Sequence, residues 1–230
     1  DNEAPVVTCN AEITQTADLG QCGANIIIPI PASTDNCGVD TIVNDYTSTN
    51  DASGFYPVGT TTITWTITDI HGNITNCVQT IIVTDDELPL ISCVDNISMN
   101  NDLGACGAVV AVPLPTVSDN CAIDELVNDY TNSDDASAFY PVGTTLVTWT
   151  LTDIHGNTSY CFTSITIADT EVPAIICPTD IIVENDIDQC GAFVTVPAPT
   201  VSDNCAVQSI ANSQNGTSDA SEFYPVGTTS

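Results

Sequence analysis

The sequence contains no lysine and no arginine in 230 residues, against 30 Asp and Glu, for a formal net charge of −30. Average usage supplies on the order of twenty or more basic residues in such a length. Binding to nucleic acid is excluded, because phosphate contacts need cations the chain lacks, and attraction to an anionic lipid surface is excluded for the same reason. No stretch carries helical periodicity. The longest apolar run, Ile26 to Ile30 broken by Pro29, falls far short of a membrane span, and no signal-peptide pattern opens the chain. No CxxC or HxxxH pair suggests zinc, no glycine loop suggests phosphate, and no Ser, His and Asp constellation suggests acyl transfer. With so many acids a carboxylate pair arises by chance, so none is read as a glycosidase centre. His71 and His155 occupy the same turn position and read as turn residues, so the chain is expected not to be an enzyme.

What the chain does contain is a repeat. Asp1, Pro5, Cys9, Cys22, Cys37, Trp65, Asp69, His71 and Cys77 recur 84 residues later as Asp85, Pro89, Cys93, Cys106, Cys121, Trp149, Asp153, His155 and Cys161. A third copy begins at Asp169 with Pro173, Cys177, Cys190 and Cys205, and reaches Ser230. The expected domains are therefore 1–84, 85–168 and 169–230, the last without its final two strands. The parity of the 11 cysteines resolves as four, four and three. Cysteine at this density stays oxidised only outside the reducing cytosol, so a secreted or cell-surface location is expected, in an internal segment of a longer chain.

Within one copy, Thr62 to Thr68 alternates strictly, with Ile63, Trp65 and Ile67 on one face and threonines on the other, as a half-buried strand does. Copy two keeps the phase with Val147, Trp149 and Leu151. The next strand places Cys77, Ile81 and Val83 inward, and the intervening Asp69 to Asn73, with Gly72 as turn residue, closes a hairpin. Val7, Cys9, Ala11 and Ile13 share a parity, as do Ile26, Ile28 and Ile30, matched by Val110, Val112 and Leu114. A strand near Thr41 to Thr47 and a loop from Ser48 to Gly54 complete the unit. Pro29 and Pro31 mark an unpaired edge or the end of pairing. Short strands broken by turn residues predict an all-β fold of tandem immunoglobulin-like antiparallel β-sandwiches in an extended rod.

These residues also carry a family pattern. Asp-x-x-x-Pro, a cysteine in the first strand, Pro-x-x-x-Asp-Asn, Phe-Tyr-Pro-Val-Gly-Thr-Thr, Thr-Asp-x-x-Gly-Asn and a cysteine heading the last strand resemble the hyalin repeat. The resemblance implies an immunoglobulin-like, non-catalytic domain found in extracellular arrays associated with adhesion. Long acidic arrays of this kind resemble the giant surface adhesins of gliding and marine bacteria. It further implies a Cys9–Cys77 bridge, repeated as Cys93–Cys161, with Cys177 unpaired. That would leave Cys22 for Cys37, Cys106 for Cys121 and Cys190 for Cys205. Against this second pairing, one straight strand over residues 24–31 spans roughly 26 Å, beyond disulfide reach. Either the strand ends early or the connectivity differs.

In an immunoglobulin-like sandwich the start of the first strand, the loop after the second and the last hairpin share a pole. That topology gathers Asp1, Glu3, Asp35, Asn36, Asp69 and Asn73 in copy one, and Asp85, Glu87, Asp119, Asn120, Asp153 and Asn157 in copy two. Copy three supplies Asp169, Glu171, Asp203 and Asn204. Carboxylates gathered without a basic neighbour repel one another, and Ca²⁺, a hard cation that takes oxygen ligands, would hold them together. The alternative is that these Asp and Asn are turn formers and backbone caps, with the acidity serving solubility or life in salty water. The expected function is a structural stalk or filament segment of a secreted adhesin, its partners further repeats and Ca²⁺. A carbohydrate-binding module is the other reading, with Tyr46, Phe55 and Tyr56 stacking on surface glycans. The Phe-Tyr-Pro-Val-Gly motif belongs to the family pattern that packs the loop before the Trp strand, and core or loop packing is the favoured reading of these rings.

Overall fold

The computed structural model describes residues 1–230 and is all-β, with no helix. The first repeat contains β1 (Val6–Thr8), β2 (Ile13–Thr16), β3 (Gly23–Ile26), β4 (Ala32–Thr34), β5 (Val39–Asn44), β6 (Gly54–Pro57), β7 (Gly59–Asp69) and β8 (Ile74–Thr84). The second follows the same order with β9 (Leu90–Ser92), β10 (Ile97–Asn100), β11 (Gly107–Val110), β12 (Thr116–Ser118), β13 (Ile123–Asn128), β14 (Ala138–Pro141), β15 (Gly143–Asp153) and β16 (Thr158–Ala168). The third has β17 (Ala174–Ile176), β18 (Gly191–Val194), β19 (Thr200–Ser202) and β20 (Glu222–Pro225). The chain forms two compact units: Asp1–Val94 with Pro113–Ala136 and Val147–Phe162, and Asp95–Val112 with Ser137–Leu146 and Thr163–Ser230.

In the first unit, β2, β8, β7 and β5 make a four-stranded sheet in that order, antiparallel except for the parallel β2–β8 pair. The β1–β4 and β3–β6 ladders form the facing layer. The alternation of β7 is the reason: with its threonines outward, Ile63, Trp65 and Ile67 are fully buried, and Ile81 and Val83 of β8 join them. Ala24, Ile26 and Tyr56 close the core from the other layer. The same unit holds the β9–β12 ladder and the β13–β15 pair, whose Leu151 and Trp149 sit opposite Leu126 and Asn128.

The second unit pairs β10 in parallel with β16 from Ile97↔Ile165 onward, and β11 antiparallel with β14. The third repeat contributes the β17–β19 and β18–β20 ladders.

Several expectations need correction. Val7 and Ile13 lie on separate strands, and the chain between them leaves Cys9 and Ala11 exposed. The strand holding Ile26 stops there, so Ile28 is still buried but Ile30 is 48% exposed, as is Leu114 at 57%. Gly54, expected to end the loop, instead begins β6. Tyr56 is a core residue, as the packing reading of that motif has it, and its hydroxyl donates to the Ala52 carbonyl. Burial, followed by the charges of Tyr46, Asp51 and Asp45, pushes that phenol up to about 12, so it stays a donor at any ordinary pH.

Candidate metal centre at the joint between repeats

Strand β7 runs the length of a repeat and defines its two ends. It starts where the Val58 N–H donates to the Cys22 carbonyl (3.2 Å) and ends where the Ile70 N–H donates to the Gly38 carbonyl (3.3 Å). Eleven residues of strand cover roughly 35 Å, so Cys22 and Cys37 belong to opposite poles and cannot bond. Cys22 is instead joined to Cys121 of the next repeat, with Cα atoms 4.6 Å apart, and Cys106 to Cys205 at 4.7 Å. This corrects the expected Cys22–Cys37, Cys106–Cys121 and Cys190–Cys205 pairs. Both earlier alternatives hold: the strand ends early and the connectivity differs. Cys9–Cys77 and Cys93–Cys161 are bonded within their repeats, and Cys37, Cys177 and Cys190 are free.

At the first joint three loops converge. Carboxylate oxygens of Asp85, Asp119 and Asp153 lie within 4.8 Å of one another. Asp119 follows β12, and its Oδ2 accepts the N–H groups of Cys121 (2.8 Å) and Ala122 (3.0 Å), forming the turn that presents the bridging cysteine. Its Oδ1 is buried without a partner. Asn120 donates to the Gln21 carbonyl of the preceding repeat and to Asp85 Oδ1, both at 3.1 Å, while its Oδ1 is likewise buried and unpartnered.

Asp153 ends β15. Its Oδ1 accepts the His155 and Asn157 N–H groups at 2.8 Å each, and its Oδ2 accepts Asn157 Nδ2 at 2.7 Å. Burial works to raise this carboxyl, but the hydrogen bonds from Asn157, His155 and Gly156 outweigh it and hold it below the ordinary carboxylate range. Asp69 is held down by the same balance, with Asn73, His71 and Gly72 as donors. His155 Nδ1 lies 3.0 Å from Asp85 Oδ2, whose side chain is fully buried.

The expected residues thus divide by what they do. Asp85, Asp119 and Asp153 form the cluster, and Asn120 joins it through its Nδ2 on Asp85 Oδ1. Asn157 positions Asp153 and also donates to the Asp85 carbonyl (3.3 Å). Glu87 points away, accepting the Gly20 N–H (2.8 Å) across the joint. The first repeat brings Asp1, Asp35 and Asp69 together within the same 4.8 Å, with Asn73 on Asp69 (2.7 Å) and Asn36 and Glu3 exposed. At the second joint Asn204 donates to the Ala105 carbonyl (2.9 Å) and Asp169 Oδ1 (3.2 Å), Asp203 caps Cys205, and Glu171 accepts from Gly104 and Asn101.

The donor set suits a hard cation. Cys121 lies close enough to Asp85 and His155 to complete a ligand group, but its sulfur is committed to the disulfide, so no thiolate is offered and the carboxylate oxygens remain, with the His155 nitrogen beside Asp85. Sequence reasoning put Cys22 in a disulfide but with the wrong partner, and missed Gly20 and Gln21 on the far half of the joint. Its signal was the Leu-Gly-x-Cys-Gly run at 19–23 and 103–107, whose Gly20 and Gly104 adopt φ of 71° and 74°. Of the aromatic residues considered for sugars, the Tyr46 ring stacks on Tyr56 at 4.5 Å and its hydroxyl donates to the Phe55 carbonyl (2.6 Å).

Fold and joint together define an extracellular repeat protein of disulfide-bonded β-sandwiches; four disulfides fit an oxidising location. The HYR domain model matches residues 1–83 and 84–167, and the chain belongs to the HYR domain family, as the motifs implied. It is 31% identical over 235 residues to hyalin of Strongylocentrotus purpuratus, covering 99% of this chain and 19% of that protein. It is 30% identical over 209 residues to hyalin of Lytechinus variegatus, covering 88% of this chain and 38% of that protein. The chain therefore spans well under half the length of either relative. Among solved structures, cadherin domains 1–4 of protocadherin gamma B7 align with a TM-score of 0.38 and 15% identity over 97% of this chain and 68% of that one. No helix is long and apolar enough to cross a membrane.

Proposed function

We propose that the chain is a segment of a structural stalk or filament of a cell-surface adhesin, mechanical and not catalytic, in which Ca²⁺ stiffens each disulfide-bonded joint. One observation carries the reading: three carboxylates converge within 4.8 Å beside an inter-repeat disulfide, with Asp119 Oδ1 and Asn120 Oδ1 buried and unpartnered. Buried acceptors without donors are costly, and a divalent cation satisfies them while neutralising the mutual repulsion of the carboxylates. Caps and turns account for Asp119 Oδ2 and Asp153, but not for the two orphaned oxygens.

A calcium titration by calorimetry, paired with thermal melts, tests it. Ca²⁺ should bind and raise the melting temperature, and Asp119→Ala together with Asp85→Ala should remove the response of that joint. Melts unchanged between calcium and chelator would overturn the cation. Load-bearing is tested separately, by pulling on single chains between a surface and a probe.

A further inference from the structure

At the first joint a sulfur stands among metal-ligating atoms. Asp85, Cys121 and His155 each bring one ligand atom to within 4.8 Å of the others. His155 Nδ1 lies 3.0 Å from Asp85 Oδ2; the Asp85 side chain is fully buried, and 27% of the His155 side chain meets solvent. Asp119 caps the Cys121 and Ala122 N–H groups, and Asn120 Nδ2 donates to Asp85 Oδ1 at 3.1 Å and to Cys121 Sγ at 3.7 Å. All of these contacts belong to the second repeat, whereas Cys22, which supplies the other sulfur, belongs to the first. Opening the bond therefore removes none of them.

The first repeat shows the same triad with its sulfur unbonded. Asp1, Cys37 and His71 stand 84 residues earlier, also lie within 4.8 Å of one another, and Cys37 carries a free thiol. Asp35 Oδ1 accepts the Cys37 and Gly38 N–H groups at 2.9 and 3.0 Å, against 2.8 and 3.0 Å for Asp119 at the joint. Whatever that thiol meets in a longer chain, the grouping belongs to the repeat and not to the disulfide.

Thiolate, imidazole and carboxylate are the ligand types of zinc, and three of them leave a fourth tetrahedral position to water. Sulfur and nitrogen favour zinc over Ca²⁺, which takes oxygen. Bonds of about 2.0–2.3 Å to one ion set ligand atoms roughly 3.5 Å apart, so the triad has to tighten by only about 1 Å.

We infer that the first joint is a zinc site while its disulfide is open: Cys121, His155 and Asp85 bind Zn²⁺, and closing the Cys22–Cys121 bond expels it. The open state exists before oxidation, and a dithiol regenerates it by passing two electrons and two protons to the bond and becoming a disulfide itself. Cys121 then gives its proton to solvent as the sulfur takes the metal. On closure both thiols give up their protons, two electrons pass to an oxidant such as glutathione disulfide, and Zn²⁺ leaves with its charge unchanged. Zinc and Cys22 thus compete for one sulfur atom. Calcium takes no part in that competition, so the zinc site stands or falls separately from the proposed function.

The test uses the whole chain with Cys37, Cys177 and Cys190 replaced by serine, in calcium-free buffer. Adding Cys22→Ser leaves Cys121 as the only thiol without any reductant. Zinc is titrated by calorimetry, and cobalt(II) replaces it in absorption spectra, where a thiolate ligand gives a charge-transfer band and four-coordination gives intense visible bands. Cys22→Ser should bind zinc and show both features with cobalt. Adding His155→Ala or Asp85→Ala should lose the visible bands, and the chain with the joint bond intact should lose the thiolate band. Cys121→Ser in place of Cys22→Ser opens the same joint but leaves the thiol on the wrong side; its circular dichroism should match and its cobalt bands should be absent. A Cys22→Ser chain without the thiolate band, an equal band in Cys121→Ser, or visible bands unmoved by His155→Ala would overturn the zinc site. A second arm needs no substitution at the joint cysteines. During air oxidation of the reduced chain, followed by mass spectrometry after cleavage at acidic residues, zinc should slow the Cys22–Cys121 bond more than Cys9–Cys77, and His155→Ala should abolish the difference. Equal slowing of both bonds, or none, would also overturn it.

Discussion

At the scale of single residues, the joint works because short polar side chains are each used twice. Asp119 spends one oxygen on the turn that presents Cys121 and leaves the other buried without a partner. Asn157 is a positioning residue: it donates to Asp153 Oδ2 and to the Asp85 carbonyl, and would act on the proposed cation through them. Removing such an outer partner typically weakens metal binding about 10–100-fold. Asn157→Ala is therefore expected to shift the calcium titration by that much at the first joint while leaving the fold intact by circular dichroism.

The carboxyls of Asp69 and Asp153 give a pH dependence whose sign follows from their lowered values. A group whose folded value lies below its unfolded one near 3.8 contributes stability that is present above the unfolded value and lost as pH falls through the folded one. In chelator, the difference in melting temperature between the parent chain and Asp153→Ala should be largest near neutrality and should close below about pH 4. A gap that widened on acidification would contradict the assignment.

At the scale of elements, the strand headed by Gly23, Gly107 or Gly191 ties core and joint together. Gly23 heads β3 immediately after Cys22, and a Cβ there would run into the Tyr56 carbonyl oxygen and the Phe55 ring. Gly107 and Gly191 meet the same obstacles in their copies. Backbone cannot yield as a flexible side chain does, so Gly107→Ala should destabilise by about 1–3 kcal/mol, the usual range for overpacking, measurable by urea titration.

The joint disulfides act on a larger loop than a bond within one repeat, since Cys22 and Cys121 lie 99 positions apart and Cys9 and Cys77 only 68. Replacing both Cys22 and Cys121 by serine should cost roughly 2–4 kcal/mol in denaturant. The two repeats should then melt as separate transitions in calorimetry, because the covalent tie between them is gone.

For the whole molecule, the absence of every cationic side chain means that no ion pair with Lys or Arg can organise one repeat against the next. The joints use neutral amides, backbone groups, sulfur and, in the proposed function, a cation. Repulsion among the acids favours separation of the repeats and is screened by salt beyond about 10 Å at 0.1 M. Chelation should therefore loosen the joints most at low ionic strength. Small-angle scattering with and without chelator measures this as a change in maximum dimension, and an identical dimension at low salt would count against a stiffening ion.

The sequence by itself determined the periodicity, the all-β class and the inward face of the two long strands, because alternation at Ile63, Trp65 and Ile67 and again at Val147, Trp149 and Leu151 is a local property of a strand with one wet side. Of the acids it placed at one pole, Asp85, Asp119 and Asp153 do meet, whereas Glu87 is used instead by the Gly20 N–H. Only the tertiary structure decided where the second class of cysteines goes. Strand length already argued against Cys22 meeting Cys37, which stand at opposite ends of an eleven-residue strand, but no local rule points to Cys121, remote in sequence and adjacent in space. The early ends of β3 and β11, which leave Ile30 and Leu114 at the surface, had the same cause. Parity continues along the sequence, but burial stops where the facing layer does.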